Sequence, residues 1–247
     1  MIILFLGNVG SGKTACAVRH MVLNNHMNYY SNILPTKPKL TPNIITIQPE
    51  MIVENKIVDY KKSGEAITKL DLNKDYWVND AKKPLSVVLD EAHDFMDARR
   101  SMTKVNQILA KFLALARRIV GETDAEGDLI FITQLDRRID VICREMAHQI
   151  RYHICHYFKS CKKCGCSWRE TSETPEKAML CFYCGSHLLE KNNFCIEVMH
   201  FANIQVYDAW KEFGMKSYHR HYFIRDIEQF FPYYNTLQWN NMFEDLY

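Results

Sequence analysis

Short runs of unbroken or nearly unbroken apolar residues recur along the chain, and three of them end abruptly in polar ones. Ile2–Leu6 runs into Gly7, Leu85–Leu89 into Asp90 and Glu91, and Leu129–Ile132 into Thr133 and Gln134. Runs without alternation are expected of strands covered on both faces of a parallel sheet. Between the second and third, the pattern changes to a helical one. Val105, Ile108, Leu109, Phe112, Ala116 and Ile119 share one stripe and predict a single amphipathic helix from Lys104 to Val120. Another helix is expected from about Lys13 to His26. Strands alternating with helices predict an α/β fold with a parallel sheet flanked by helices.

The rest of the chain is less regular. Residues 31–84 carry Pro35, Pro38, Pro42 and Pro49 and predict a strand or two with short helices; Tyr76 and Trp77 read as packing aromatics. Strand-like runs at Gln149–Phe158 and Asn193–Phe201 bracket a cysteine-rich stretch. The segment 218–247, which includes Tyr222, Phe230, Phe231, Tyr234, Trp239 and Phe243, is too aromatic for disorder and should pack on the domain or on a neighbouring subunit. The expected organisation is a core over 1–158, an insertion over 159–190, and completion of the core with an aromatic tail over 191–247.

Composition narrows the function classes. At 247 residues, 47% hydrophobic and 24% charged, the chain suits one large domain with a small insertion and excludes wholesale disorder. Thirty-one Lys+Arg against 29 Asp+Glu leave +2, so a nucleic-acid partner would have to meet a local patch. The densest such patch is Asp97–Ile119, with Arg99, Arg100, Lys104, Lys111, Arg117 and Arg118 against Asp97 alone; a solvated helix face reads it as well. No run approaches the roughly 18 apolar residues of a membrane span, and the opening run is too short for a signal-peptide core. A cytoplasmic protein, neither membrane-spanning nor secreted, is expected. Nine cysteines, an odd number partly arranged as CxxC pairs, then read as metal binding under reducing conditions.

The chemistry concentrates at the strand ends. Gly7-Asn8-Val9-Gly10-Ser11-Gly12-Lys13-Thr14 is an unbroken GxxxxGK[ST] between a strand and a helix. Its glycines let backbone N–H groups converge on phosphate oxygens, and the helix N-terminus adds positive potential. Lys13 can reach the β- and γ-phosphates of ATP, and the Thr14 hydroxyl can ligate Mg²⁺. A P-loop also needs an acidic partner. Asp90, at the end of the second run, would support the Mg²⁺ shell, and Glu91 would polarise the attacking water. Gln134, at the end of the third run, can sense the γ-phosphate or orient water.

Cys161-x-x-Cys164-Gly165 and Cys181-x-x-Cys184-Gly185 are two knuckles with 16 residues (165–180) between Cys164 and Cys181. Two such turns offer four thiolates, the tetrahedral set of a Zn²⁺ ribbon. Cys166 and, more weakly, His187 could substitute. His153, Cys155 and His156 read as strand residues, and Cys16, Cys143 and Cys195 as small core residues.

Taken together, GNVGSGKT, VVLDEAH and LIFITQLDRRIDVICREM resemble the FtsK/HerA superfamily of P-loop ATPases, and within it the zonula occludens toxin-like family that includes filamentous-phage assembly ATPases. Thr133, Gln134, Ile139, Asp140 and Arg144 carry the more discriminating part, and Tyr207-Asp208 matches a "YD" segment of that family. The resemblance spans about residues 1–158. It implies a RecA-like sheet, a viral setting in the host cytoplasm, and a homo-oligomeric ring that moves single- or double-stranded DNA or drives virion assembly. It also implies an arginine finger from the neighbouring subunit, placed before the Gln134 strand, with Arg117 or Arg118 as candidates and Arg99 or Arg100 behind them. A capsid or membrane-associated viral partner could dock on the zinc ribbon. Two features depart from the filamentous-phage members, the lack of a transmembrane helix and the cysteine insertion. The alternative is an ATP-binding switch or a scaffold with little turnover.

Overall fold

The first apolar run forms strand β1 (Ile2–Leu6), buried at all five positions. It lies inside the main sheet of the computed structural model, which describes residues 1–94, 96, 97, 99, 103–121, 127–134, 137, 139–169, 180, 181, 183–187 and 189–235. Helix α1 (Lys13–Leu23) follows and stops short of His26. Asn24 ends it: its backbone N–H and its side-chain amide both donate to His20 O. The proline-rich stretch then gives β2 (Asn28–Ser31), β3 (Ile44–Thr46), a single turn α2 (Pro49–Ile52), and an outlying hairpin of β4 (Val53–Tyr60) and β5 (Ala66–Leu72). A wide turn at Tyr76–Asp80 leads into β6 (Leu85–Leu89).

The helix expected over Lys104–Val120 is two helices, α3 (Lys104–Ala114) and α4 (Ala116–Val120). At the break, Leu115 N–H is shared between Lys111 O and Phe112 O, so the last turn tightens and the axis restarts. The apolar stripe survives the break: all six of its residues are buried. The chain continues through β7 (Leu129–Ile132), α5 (Val141–Met146), β8 (Gln149–Cys161), β9 (Ser167–Arg169), β10 (Leu189–Phe201), α6 (Ile204–Phe213), β11 (Arg220–Ile224) and a 3₁₀ segment, Ile227–Tyr233.

The strand order is β11-β10-β8-β1-β7-β6-β2-β3, with β9 attached to β8. From β8 to β3 every pairing is parallel, and β10 and β11 run antiparallel at one edge. The chain is therefore an α/β protein with a mostly parallel sheet between helices. One face packs β1, β6 and β7 against α3 and the Trp77 turn, where Tyr30, Tyr76 and Phe112 meet Trp77 edge-on. The other face carries α1 and the 3₁₀ segment, with Ile224, Ile227, Phe230 and Tyr234 buried there. The aromatic segment thus packs on its own domain as far as Asn235; Trp239 and Phe243 lie outside the described residues.

Two consequences position the site. β7 pairs with both β1 and β6, so Gln134 emerges between the P-loop and the Asp90–Glu91 pair. The strand β8 leaves β1 at Tyr152, paired with Leu6, yet continues beside β10 to Cys161. Residues 153–161 therefore rise past the carboxyl edge of β1 as a stalk, longer at its tip than the sequence pattern indicates. Among the described residues no helix is long and apolar enough to cross a membrane.

Candidate nucleotide site

The loop Gly7–Lys13 is shaped by close neighbours. A Cβ at Gly7 would lie 2.4 Å from His153 O, and one at Gly12 would lie 2.2 Å from Ile196 Cδ1. Gly12 also has φ 84°, a left-handed conformation suited to glycine. The stalk strands β8 and β10 thus press on the loop from one side, and the glycines are what let them. Lys13 bends back over the loop: its Nζ donates to Gly7 O and Asn8 O at 2.9 Å, and to Ser11 Oγ at 3.3 Å. Burial lowers its pKa, opposed by the nearby Glu91 and Asp90 carboxylates.

Across the loop, Thr14 Oγ1 donates to Asp90 Oδ2 at 2.8 Å. Burial pushes the Asp90 carboxyl up to about 6; the Thr14 bond lowers it and the Glu91 charge raises it further. Asn32 fixes this acid from behind: Asp90 N–H donates to Asn32 Oδ1 at 2.7 Å, and Asn32 Nδ2 donates to Asp90 O at 2.9 Å. The sequence pattern does not single out Asn32, since only the pairing of β2 with β6 brings it there. A hydroxyl and a buried carboxylate held this close form a donor set that fits Mg²⁺, a hard cation preferring oxygen.

Glu91 has φ 51°, which costs a non-glycine residue about 1–2 kcal/mol. That turn takes it out of the strand line. Its Oε1 accepts from Gln134 Nε2 at 2.9 Å, while its buried Oε2 has no hydrogen-bond partner among the described residues and lies 3.4 Å from His93 Nδ1. Burial raises its pKa against the Gln134 bond and Lys13. His93 sits in the first turn after β6, Ala92–Asp94, and its Nδ1 meets Thr133 Oγ1 at 3.1 Å. The polar ends of β6 and β7 are thus tied together. A cavity of about 800 Å³ opens over these groups, lined by the P-loop, Glu91 and Gln134 and, opposite, by the 3₁₀ segment. That volume suits a ligand of nucleotide size.

Of the arginine candidates, Arg99 and Arg118 do not line the cavity. Arg118 is exposed on α4, the last part of the return toward the sheet edge where β7 begins, opposite the edge carrying Gly12. The Arg117 side chain and Arg100 lie outside the described residues. Arg99 pairs with Asp97 at 3.3 Å, and Lys111 pairs with Asp71 from β5, so the basic stretch is partly neutralised by acids. The second half of the discriminating motif is structural. Asp140 Oδ1 accepts from Ile142 N–H to cap α5, and Arg144 joins Asp208 of α6 at 3.1 Å.

At the stalk tip, Cys161, Cys164, Cys181 and Cys184 form the cluster fit for a metal ion, with all four sulfurs within 4.8 Å of one another. Both knuckles close alike: Gly165 N–H donates to Cys161 O and Gly185 N–H to Cys181 O, each at 2.9 Å. Sulfur pairs at 3.6 Å are near the ~3.8 Å edge of a tetrahedron with Zn–S of about 2.3 Å. Burial would raise the Cys161 thiol, but N–H groups of Cys164 and Lys163 and the thiols of Cys184 and Cys164 hold it down to about 6. Cys166 and His187 are not in the cluster. On the stalk, His153 bonds Leu6 O and His156 bonds Glu197; Cys16 in α1, Cys143 in α5 and Cys195 in β10 are buried.

The family described as Zonular occludens toxin (Zot) matches residues 1–156. No curated protein matches the chain. Among solved structures, the N-terminal domain of zonular occludens toxin from Neisseria meningitidis is similar at 15% identity and TM-score 0.46, covering 95% of this chain and 98% of that one. The genome packaging NTPase B204 of Sulfolobus turreted icosahedral virus 2, in complex with AMPPCP, is similar at 15% identity and TM-score 0.37, covering 61% of this chain and 73% of that one.

Proposed function

From the premise that this chain belongs to the zonular occludens toxin family, we propose that it is a Mg²⁺-dependent ATPase working as an oligomeric motor in viral DNA packaging, translocation or virion assembly. The observation that carries the reading is the convergence of Lys13, Thr14, Asp90, Glu91 and Gln134 at one end of three neighbouring parallel strands, where all but Asp90 line one cavity. The loop N–H groups cradle phosphates, and the Lys13 ammonium exchanges the loop carbonyls for phosphate oxygens. Thr14 and Asp90 would hold Mg²⁺, which when bound would supply charge neutralisation to the phosphoryl group. Glu91 accepts a proton from water, and Gln134 positions Glu91 through their hydrogen bond. A neighbour's Arg117 or Arg118 completes the site in a ring. The unit over 159–190 is a zinc-stabilised tip that docks DNA or a viral partner.

Steady-state ATP hydrolysis by wild type, Lys13→Ala and Glu91→Gln tests this. The wild type should turn over ATP faster with double-stranded DNA present. Glu91→Gln should bind ATP yet lose about 10²–10⁴ in rate, the span of a lost general base. Equal, DNA-indifferent background rates in all three proteins would return the chain to the role of a switch or scaffold.

A further inference from the structure

The antiparallel edge of the sheet carries cations that no acid answers. Arg151 on β8 pairs in register with His200 on β10, and His200 with Arg220 on β11, so the three form one row across three strands. The row continues to Phe5 of β1, which is buried in the α1-side core. It therefore lies on the face that α1 covers, and Arg19 of that helix joins it. Burial raises the pKa of the Tyr222 phenol, and Arg151, Arg220 and Arg19 all oppose that rise. The Tyr222 hydroxyl, 3.2 Å from His200 Nε2, is thus within electrostatic reach of all three.

None of the three arginines makes an ion pair among the described residues. Each rests on a ring instead: Arg151 lies 5.4 Å from the Phe5 centroid, Arg220 5.3 Å from Tyr222, and Arg19 6.0 Å from Phe230. Arg151 Nε donates to Gln149 Oε1 at 2.7 Å, which aims the guanidinium and leaves its Nη groups for a ligand. Asp128, which draws Arg151 at longer range, is already paired with the Met1 amino group at 3.0 Å. Burial, and then the charges of Arg151, His219 and Arg220, hold His200 down to about 3, so it stays neutral within the row.

Burial also lowers the pKa of Arg151. A guanidinium drawn out of water without a counter-charge is costly, and ring contact offsets only part of that cost. Charges on an edge strand can serve simply to block edge-to-edge pairing. That suffices for Arg220 but not for Arg151, two strands in from the edge. The edge is itself a basic surface: residues 216–225 hold Lys216, Arg220 and Arg225, all exposed, and no Asp or Glu. In Asp97–Ile119, by contrast, Arg99 and Lys111 are paired with acids.

Resting on the reading of this chain as a DNA-handling ATPase, we infer that Arg151, Arg220 and Arg19 bind the phosphodiester backbone of DNA along the β11 edge. Arg151 and Arg220 stand two strand spacings, roughly 10 Å, apart at the backbone, so their long side chains can address successive phosphates. A guanidinium lying on a ring keeps its in-plane N–H groups for phosphate oxygens. Such contacts are blind to sequence and sensitive to salt.

The test is equilibrium binding of a labelled DNA duplex to the full chain, with Mg²⁺ and a non-hydrolysable ATP analogue, over a range of salt. The proteins are wild type, Arg220→Ala, Arg151→Met and Lys104→Ala. Each arginine variant should weaken the duplex by about tenfold at about 0.1 M salt and lower the slope of log affinity against log salt by about 1, one lost phosphate contact apiece. A duplex of unrelated sequence should show the same losses. Lys104→Ala should match wild type. Arg220 is exposed, so its variant reads the surface without a folding defect. At matched ionic strength, inorganic phosphate should displace the duplex little better than chloride.

A slope unchanged in both arginine variants would overturn the surface. If Lys104→Ala lowers it instead, DNA contact moves to Asp97–Ile119 and the DNA-handling reading stands. Inorganic phosphate that binds wild type and not Arg151→Met, with duplex affinity equal in the two, would leave a free-anion pocket in place of a DNA surface. A wild type that hydrolyses ATP but binds no duplex would overturn the surface and the DNA-handling reading together, leaving the ATPase.

Discussion

Thr14 and Asp90, 76 residues apart, are joined by a 2.8 Å hydrogen bond from the hydroxyl to Oδ2. The bond ties the first turn of α1, which follows β1, to the end of β6, and β7 lies between β1 and β6 in the sheet. It also leaves a carboxylate buried beside a second acid, Glu91, with Lys13 as the nearby cation. Such an arrangement is costly in the free protein and relieved by a bound divalent cation.

That cost has a pH signature. Asp90 titrates at about 6 in the folded chain and near 3.9 when unfolded. Between those values the folded state holds a proton that the unfolded state has lost, so stability falls as pH rises through the window and stays lower above it. Glu91, also raised by burial, acts with the same sign. With chelator and without nucleotide, Asp90→Asn should therefore melt above wild type at pH 8, by about 3 kcal/mol or several degrees, and converge with it near pH 4. Mg²⁺ should stabilise wild type and leave the variant unmoved. A wild type that matches or exceeds the variant at pH 8 without metal would contradict the buried-carboxylate account.

The parts of this site legible in the sequence are those set by local chain chemistry. Three buried strands leading to Gly7, Asp90 and Gln134 announce themselves by unbroken or nearly unbroken apolar runs, because a strand covered on both faces has no alternation to hide it. What the sequence withholds is neighbourhood. Asn32 reaches Asp90 only because β2 pairs with β6, and Arg144 reaches Asp208 only because α5 and α6 pack on the same side of the sheet. The basic reading of Asp97–Ile119 missed Asp71 for the same reason: the acid that meets Lys111 arrives on a separate hairpin. The break at Leu115 leaves no trace in the apolar stripe, since one shared hydrogen bond shifts the axis without moving any stripe residue to solvent.

The cysteine cluster makes a stoichiometric prediction. Four sulfurs at tetrahedral spacing on two matching knuckles should hold about one Zn²⁺ per chain on elemental analysis of the purified protein. Cys166→Ser, outside the cluster, should keep the metal, and Cys161→Ser with Cys181→Ser should lose it. Metal loss should also open the tip to proteolysis, because a segment this short lacks a core of its own. Full zinc in the double variant would refute this ligand set.

Arg118 is exposed on α4, toward the sheet edge opposite Gly12, which places it away from the P-loop of its own chain. A catalytic role would then have to be exercised on a neighbouring subunit, in a head-to-tail contact that joins opposite edges of two sheets. Arg118→Ala should leave ATP affinity intact and lower turnover by about three orders of magnitude, the scale of a lost arginine finger. Lys13→Ala should abolish nucleotide binding in its own site while keeping its arginines. Mixed assemblies of the two variants should therefore recover activity, since some interfaces pair an intact P-loop with an intact Arg118. Arg117→Ala, assayed the same way, decides between the adjacent residues. If no mixing ratio restores turnover for either variant, the role in trans is lost, and Arg118 is left as a solvent-facing cation that favours the C-terminal end of its helix.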